Sequence, residues 1–393
     1  MSKKNKLLRI TTVPISMNHI MRGQLKYMNQ FYEVIGVSSY VEKDVNDILS
    51  RELIPMKFVE MPRTINPIKD LLALIKLCLI IKKEKPAIVH THTPKAGLLG
   101  MLAAFVYQVP IRLHTVAGMP LEETYGLKRR ILLFTEKLTY RLAHQVYPNS
   151  SHLHHFILGN KLALQNKIKV LGKGSSNGIN IEHFNRNFCA NPDANRIENR
   201  KKLDIQLNDF VFCFVGRLAE AKGINDLCEA FNQFSQEIPH LKLLLIGPIE
   251  TSNSKLSQPT LTLMKENKKI IYPGRAEDVR PMLNLADCFV FPSHREGFPG
   301  VLLQAGAMGI PILASNIGGN NELIKHQENG LLFESKNIDS LLNAMKLIYN
   351  DVSLREQLAV NMNKTIENDY QNKVIWNAIH TEYNSWIRIN TKK

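Results

Sequence analysis

Cysteine is scarce. The chain has five in 393 residues, at positions 78, 189, 213, 228 and 288, and none forms a Cys-x-x-Cys pair. That excludes a disulfide scaffold and the usual zinc spacings. Cys213 and Cys288 lie inside apolar runs, as buried reduced thiols of a cytosolic protein would. Long apolar runs are also missing. The nearest, 71–81, is interrupted by Lys76, short of the roughly 18 residues a membrane-spanning helix needs. The basic start runs straight into a strand pattern, without an apolar core followed by a small-residue cleavage site, so neither a secretory leader nor a membrane span is expected. Aromatic residues make up 7% and no nucleic-acid-binding module is recognisable, which argues against a nucleic-acid partner. There is no low-complexity tract and no short repeat.

What is present is length for two cores, a normal globular balance of 44% apolar and 22% charged residues, and an excess of positive charge. The formal charge of +15 is unevenly placed: residues 1–185 hold 26 Lys and Arg against 12 Asp and Glu, and residues 186–393 hold 24 against 23. A basic first half points to lipid headgroups, a diphosphate-linked substrate or nucleic acid, or to a solvated basic surface alone.

Short β-rich runs alternate with helical patterns along the whole chain. Strands are predicted at 7–12, 34–38, 57–61, 87–91, 111–116, 145–148 and 167–171, then at 210–216, 242–247, 269–272, 288–292, 311–314 and 330–333. Many are continuous Val, Ile, Leu and Phe runs, the signature of parallel strands covered on both faces. Helices are predicted at 67–83 and 127–142, and two more beyond 353 separated near Asp369. Alternation carried twice over predicts two doubly wound α/β domains. The polar stretch 185–202, after the turn signal Asn177-Gly178, is the expected boundary.

Two segments carry chemistry. In 210–225, FVFCFVGRLAEAKGIN, a strand ends at Gly216, Arg217 follows, and Lys222-Gly223 opens an amphipathic helix. A strand tip beside a helix N-terminus is an anion site, and a bidentate Arg with a Lys suits a diphosphate. The same pattern also describes two surface cations on a turn. In 288–308, CFVFPSHREGFPGVLLQAGAM, a strand leads through Glu296-Gly297-Phe298-Pro299-Gly300 into a helix, with Pro299 suited to its first position. The amides of Gly297, Phe298 and Gly300 would face an acceptor oxygen. Glu296 could take sugar hydroxyls, or pair with Arg295, or complement the helix dipole.

Taken in order, these motifs resemble the family-4 retaining glycosyltransferases of GT-B fold. Gly-Arg-Leu at 216–218, Lys222-Gly223 and Arg-Glu-Gly-Phe-Pro at 295–299 match that family's donor segments, and Asn177-Gly178-Ile179-Asn180 resembles its Asn-Gly-Val-Asp junction. His90-Thr91-His92-Thr93-Pro94-Lys95 resembles the His-x-His loop of bacterial surface-polysaccharide members (capsule, O-antigen, exopolysaccharide, lipopolysaccharide). Val116-Ala117-Gly118-Met119-Pro120 resembles a loop of enzymes that glycosylate polyprenyl-diphosphate-linked sugars. The resemblance implies two Rossmann-like doubly wound domains facing across a cleft. It implies an acceptor domain over 1–183, a donor domain over 184–370 and a C-terminal helix, 371–393, crossing back to the first domain. Arg217 and Lys222 would bind the donor diphosphate, and Glu296 with the Gly297, Phe298 and Pro299 segment the donor sugar. Arg275, in 274–278, would lie near the base, with UDP the preferred nucleotide. His114 would sit at the reaction centre, though a lone strand histidine also reads as an interior group. His92, Lys95 and Gly118 are the acceptor-side candidates.

Two departures stand out. The family's second glutamate, eight residues after the first, is Gln304 here, a neutral partner for the ribose. The loop after the first strand, Pro14-Ile15-Ser16-Met17-Asn18, lacks the glycines that many members carry. No Asp-x-Asp occurs, so no metal or other cofactor is expected, and the cations at 217 and 222 would stabilise the leaving diphosphate. The implied activity is metal-independent hexosyl transfer with retention, from a nucleotide sugar to a lipid-diphosphate-linked or other glycan acceptor. The enzyme would be cytoplasmic and peripheral on the inner membrane face, with no nucleic-acid partner. Basic amphipathic helices at 67–83 and 127–141 support the membrane contact. The competing readings are a GT-B nucleotide-sugar epimerase, a transferase for a soluble acceptor, and a non-catalytic glycan- or lipid-binding relative.

Overall fold

The computed structural model describes residues 4–391 except 63, 120, 122–123 and 252–253. Pro120 of the 116–120 loop therefore lies outside the described residues.

The strand periodicity builds two all-parallel six-stranded sheets. The first contains β1 (Lys6–Ile10), β2 (Glu33–Ser38), β3 (Met56–Phe58), β4 (Ile88–His92), β5 (Ile111–Val116) and β6 (Gln145–Pro148), in the order β3-β2-β1-β4-β5-β6. The second contains β7 (Phe210–Val215), β8 (Leu241–Ile246), β9 (Ile270–Gly274), β10 (Cys288–Phe291), β11 (Ile312–Ser315) and β12 (Leu331–Phe333), in the order β12-β11-β10-β7-β8-β9. Counted within its own unit, each sheet runs 3-2-1-4-5-6, the dinucleotide-fold order, with its switch point at β1/β4 or β7/β10. Continuous apolar strands such as Phe-Val-Phe-Cys-Phe-Val at β7 are buried along nearly their whole length, because helices cover both faces.

The chain divides into two units. One is formed by residues up to Gly178 together with those from Asn372 onward, and the other is Ile179–Gln371. The division falls at 178 rather than 183, and the polar stretch read as a boundary is part of the second unit. Asn191 caps a helix, Pro192–Lys202, and the buried Arg200 of that helix donates to the carbonyls of Gln206, Leu207, Asp209 and Leu285 and pairs with Asp287 at 2.7 Å. Its charge serves as an internal clamp, which composition alone does not distinguish from a linker.

The strand expected at 167–171 is absent. A single 3-10 turn, Gln165–Lys167, precedes one isolated bridge from Ile168 to Val146. Lys167 turns to the carbonyls of Arg141 and Ala143, Lys169 pairs with Glu382, and Gly172 adopts φ 59°, so the run cannot continue as a strand. The helix Asn372–Thr391 completes the first unit: Trp376 Nε1 donates to Asn177 Oδ1 at 2.7 Å, and Glu382 accepts from Tyr147 at 3.1 Å. The glycine-free segment after β1 is itself a helix, Pro14–Ile20, with Met17 buried. Among the described residues, no helix is long and apolar enough to cross a membrane.

Candidate active site

In the second unit, β7 and β10 are neighbours, pairing Phe212 with Cys288 and Cys213 with Phe289. The two chemistry-bearing loops, 75 or so residues apart in the chain, therefore emerge side by side at the switch point, where such sheets bind ligands. After β7 the chain makes a 3-10 turn, Glu220–Lys222, and Gly223 at φ 69° starts the helix Ile224–Glu237. Only glycine fits there: a Cβ at 223 would lie 2.0 Å from the Pro292 carbonyl oxygen of the β10 loop. A Cβ at Gly319 would likewise lie 2.3 Å from the Glu296 carbonyl oxygen.

This packing brings Lys222 and Glu296 into a direct ion pair, with the ammonium 5.8 Å above the Phe291 ring. Arg217, 61% exposed, pairs with Glu250 at 2.6 Å. His294 ties the loops twice: its amide donates to Ala221 at 3.0 Å, and its Nε2 lies 2.8 Å from Asp226 Oδ2. Pro299 is the N-cap of the helix Gly300–Ala307 rather than its first residue. The Gly300 amide is engaged with the Phe298 carbonyl at 3.1 Å, so of the three amides expected to face an acceptor it is already used within the turn. The Phe298 ring packs on Tyr370 with centroids 5.5 Å apart. Gln304 is half-buried on the same helix, one strand over from Lys222. Arg275 is exposed at the end of β9, beyond β8.

The first unit holds the remaining candidates. His92 ends β4, is 2% exposed and stacks on His90 with centroids 4.5 Å apart. Lys95, in the first turn of the helix Pro94–Val106, is tied to Asp70 Oδ1 and the Thr64 carbonyl, both at 2.6 Å. Gly118 is exposed in the loop after β5. His114 has the interior setting that a lone strand histidine also allows. It sits within β5, 1% exposed, with Nδ1 2.8 Å from Thr91 Oγ1 and its ring against Tyr140. A Cβ on Gly97 would lie 2.6 Å from His114 Cε1, so the helix above presses directly on the ring. Burial lowers its pKa to about 3, which keeps the imidazole neutral.

Sequence reasoning missed a buried network on the other face of the first sheet. Arg9 donates to Tyr383 Oη at 3.0 Å and to Gln24 Oε1 at 2.6 Å, and Tyr383 Oη is 2.5 Å from His90 Nδ1. Accepting from Arg9, the phenol donates to His90, whose Nε2 then donates to Thr115 Oγ1 at 2.8 Å. Burial pushes His90 and His92 well below the usual imidazole range. Arg9 within an apolar run was the one visible signal; Tyr383, in the C-terminal helix, had none. Asp226 and His294 were also passed over, because each reads locally as a surface residue.

Two such units in one chain are the GT-B architecture. The family of glycosyl transferases group 1 matches residues 195–365, and the glycosyl transferase 4-like domain matches 47–172. The chain is 35% identical to the capsular polysaccharide biosynthesis glycosyltransferase CapM of Staphylococcus aureus over 98% of each chain. It is 34% identical to the UDP-Gal:alpha-D-GlcNAc-diphosphoundecaprenol alpha-1,3-galactosyltransferase of Escherichia coli over 74% of this chain and 73% of that one. The Anabaena HepE structure in complex with UDP-glucose shares the fold, with a TM-score of 0.82 at 18% identity, covering 97% of this chain and 100% of that one. The chain belongs to the family-4 GT-B glycosyltransferases of the bacterial surface-polysaccharide type.

Proposed function

We propose that this glycosyltransferase moves a hexosyl group from a UDP-sugar to a lipid-diphosphate-linked acceptor in surface-polysaccharide assembly, with retention and without a metal. The observation that carries the reading is the meeting of Lys222 and Glu296 at the β7/β10 switch point. A cation for the diphosphate and a carboxylate for the sugar hydroxyls stand side by side, with Arg217 at the adjacent strand tip. Gln304 would meet the ribose and Arg275 the base. The E. coli relative is named for a UDP-Gal donor, and its acceptor and that of a Campylobacter jejuni relative are named as diphospho-undecaprenol sugars, which supports both substrate classes.

The cations at 217 and 222 would supply the charge that stabilises the leaving diphosphate. Transfer is therefore expected to survive chelation by EDTA. His114, neutral and enclosed, bonds to Thr91 inside the sheet, while His92, Lys95 and Gly118 lie at or just beyond the strand ends where an acceptor would bind. For the first unit we infer a peripheral contact with the inner face of the cytoplasmic membrane. The helix Pro67–Glu84 leaves Ile68, Leu71, Leu72, Ile75 and Leu79 exposed among its lysines, and the helix Gly126–Leu142 exposes Leu127 and Phe134 beside Lys128 and Arg130. Such a surface suits an anionic bilayer.

The test is thermal melting with UDP, GDP and ADP on wild type and Lys222→Ala. Ligand at about a hundred times its Kd adds roughly 2.7 kcal/mol to the bound state, a shift of several degrees. A shift with UDP that Lys222→Ala abolishes is expected. No shift with any nucleotide would turn the reading towards a non-catalytic binding relative, and conversion of the donor without acceptor would turn it towards an epimerase.

A further inference from the structure

The donor site is closed on itself. While Lys222 is paired with Glu296, the carboxylate offsets its charge and occupies part of its donor capacity, and a Glu296 carboxylate left beside the phosphate would repel it. Donor entry therefore favours separation of the two side chains, turning one to the diphosphate and the other to the sugar. That separation removes one tie between the β7 and β10 loops at the moment both must be in place.

A second tie lies one helical turn away. Asp226 is four residues beyond Lys222, in the first turn of the helix Ile224–Glu237, and His294 is two residues before Glu296. Their side chains meet at 2.8 Å, and both are largely shielded, His294 at 16% and Asp226 at 24% exposed. The His294 amide donates to the Ala221 carbonyl at 3.0 Å, while the Ser293 hydroxyl lies 3.0 Å from the Arg295 carbonyl within its own loop and 3.4 Å from that of Ala221. Ser315 Oγ in turn donates to the Ser293 carbonyl, anchoring the loop to the sheet. None of these contacts uses the Lys222 ammonium or the Glu296 carboxylate, so the ion pair can open without breaking them.

We propose that His294 is a positioning residue, which with Asp226 holds the two donor loops in register while the Lys222–Glu296 pair opens to admit the nucleotide diphosphate. The proposal rests on the donor-site reading above and adds to it a fixed element and a moving one. It makes the loops' registry matter for the diphosphate and not for the nucleoside.

The experiment is calorimetric titration of wild type, His294→Ala, His294→Gln and Glu296→Gln with UDP and with uridine, alongside melting of each protein without ligand. Losing a charge-assisted hydrogen bond at a partly shielded site is expected to weaken UDP by about tenfold in His294→Ala, with uridine within about twofold of wild type. His294→Gln, whose amide can still donate to Asp226, is expected to recover most of that loss at unchanged melting temperature. Glu296→Gln frees Lys222 and is expected to bind UDP about threefold to tenfold more tightly than wild type while losing transfer. Unchanged UDP affinity in His294→Ala would overturn the proposal. So would equal losses for UDP and uridine in both His294 variants, or Glu296→Gln binding UDP no more tightly. If wild type binds no UDP, the donor-site reading itself fails, an outcome separate from all of these.

Discussion

His114 illustrates how burial sets the behaviour of one side chain. Enclosed by Thr91, Gly97 and Tyr140, it has its pKa lowered from 6.5 to about 3. The native state therefore resists a proton that the unfolded chain accepts, so stability is full above about 6.5 and is lost as pH falls towards 3. At pH 5 the loss from this one group is about 2 kcal/mol. Asparagine at 114 can keep the bond to Thr91 and cannot titrate. His114→Asn is thus expected to be less stable than wild type at pH 8, with the gap narrowing by about that amount at pH 5, as read by denaturant melts of the first unit. Glu136, raised by burial to about 7, works in the opposite sense, losing stability as pH rises from 4.5 to 7. It is present in both proteins and cancels in the comparison. If His114 is an interior support, His114→Asn retains most transfer activity; a loss of orders of magnitude at full folding would return it to the reacting atoms.

Elements depend on contacts that their own sequence does not announce. The helix Asn372–Thr391 was legible as a helix from its pattern, but its role in the first unit comes from Tyr383, whose hydroxyl serves Arg9 and His90 at once. Tyr383→Phe removes one oxygen and strips two buried groups of a partner, one of them a guanidinium. The expected cost is about 3 kcal/mol. Trp386→Phe, which removes a 3.2 Å bond to Tyr147 from a half-buried indole, is expected to cost about 1 kcal/mol. Urea melts of the two variants check the ranking. The failed strand at 167–171 teaches the converse. Alternation of Lys, Ile, Lys and Val satisfied the local rule, yet the two lysines found carbonyl and carboxylate partners elsewhere and the pairing ended after one bridge.

At the scale of the whole molecule, the uneven charge and the exposed apolar helix faces both belong to the first unit. The charge excess was countable in the sequence, but the exposure of Ile68 at 75% and Phe134 at 68% was not, because an apolar helical stripe ordinarily faces a core. Both features predict binding to vesicles that contain phosphatidylglycerol. Binding is expected to be lost at about 0.5 M salt, where charges beyond a few ångströms are screened. Replacing Leu71 and Leu72 together by Gln is expected to weaken it at least fivefold or so at low salt. Vesicle co-sedimentation gives the answer, and no binding by wild type at low salt would remove the membrane contact from the reading.

The sequence by itself determined the twelve strands, the doubly wound class and the two motif-bearing loops, but not the helices Pro14–Ile20 and Pro192–Lys202, which read as loop and boundary. Each rests on periodicity, turn residues and strand-to-helix transitions that act within a few residues. It also carried the family, because the order of Arg217, Lys222, Glu296 and the loops around them survives in the linear chain. Only the tertiary structure decided what those residues meet. The pairing of β7 with β10 turned two separate motifs into one ion pair with a second tie beside it, and the return of the last helix placed Tyr383 against Arg9. Which groups touch depends on strand order and on close packing between segments far apart in the chain, where a missing Cβ at Gly223 or an enclosing helix over His114 sets the outcome. No local pattern encodes that, since a lysine on a turn reads the same whether a carboxylate or water faces it.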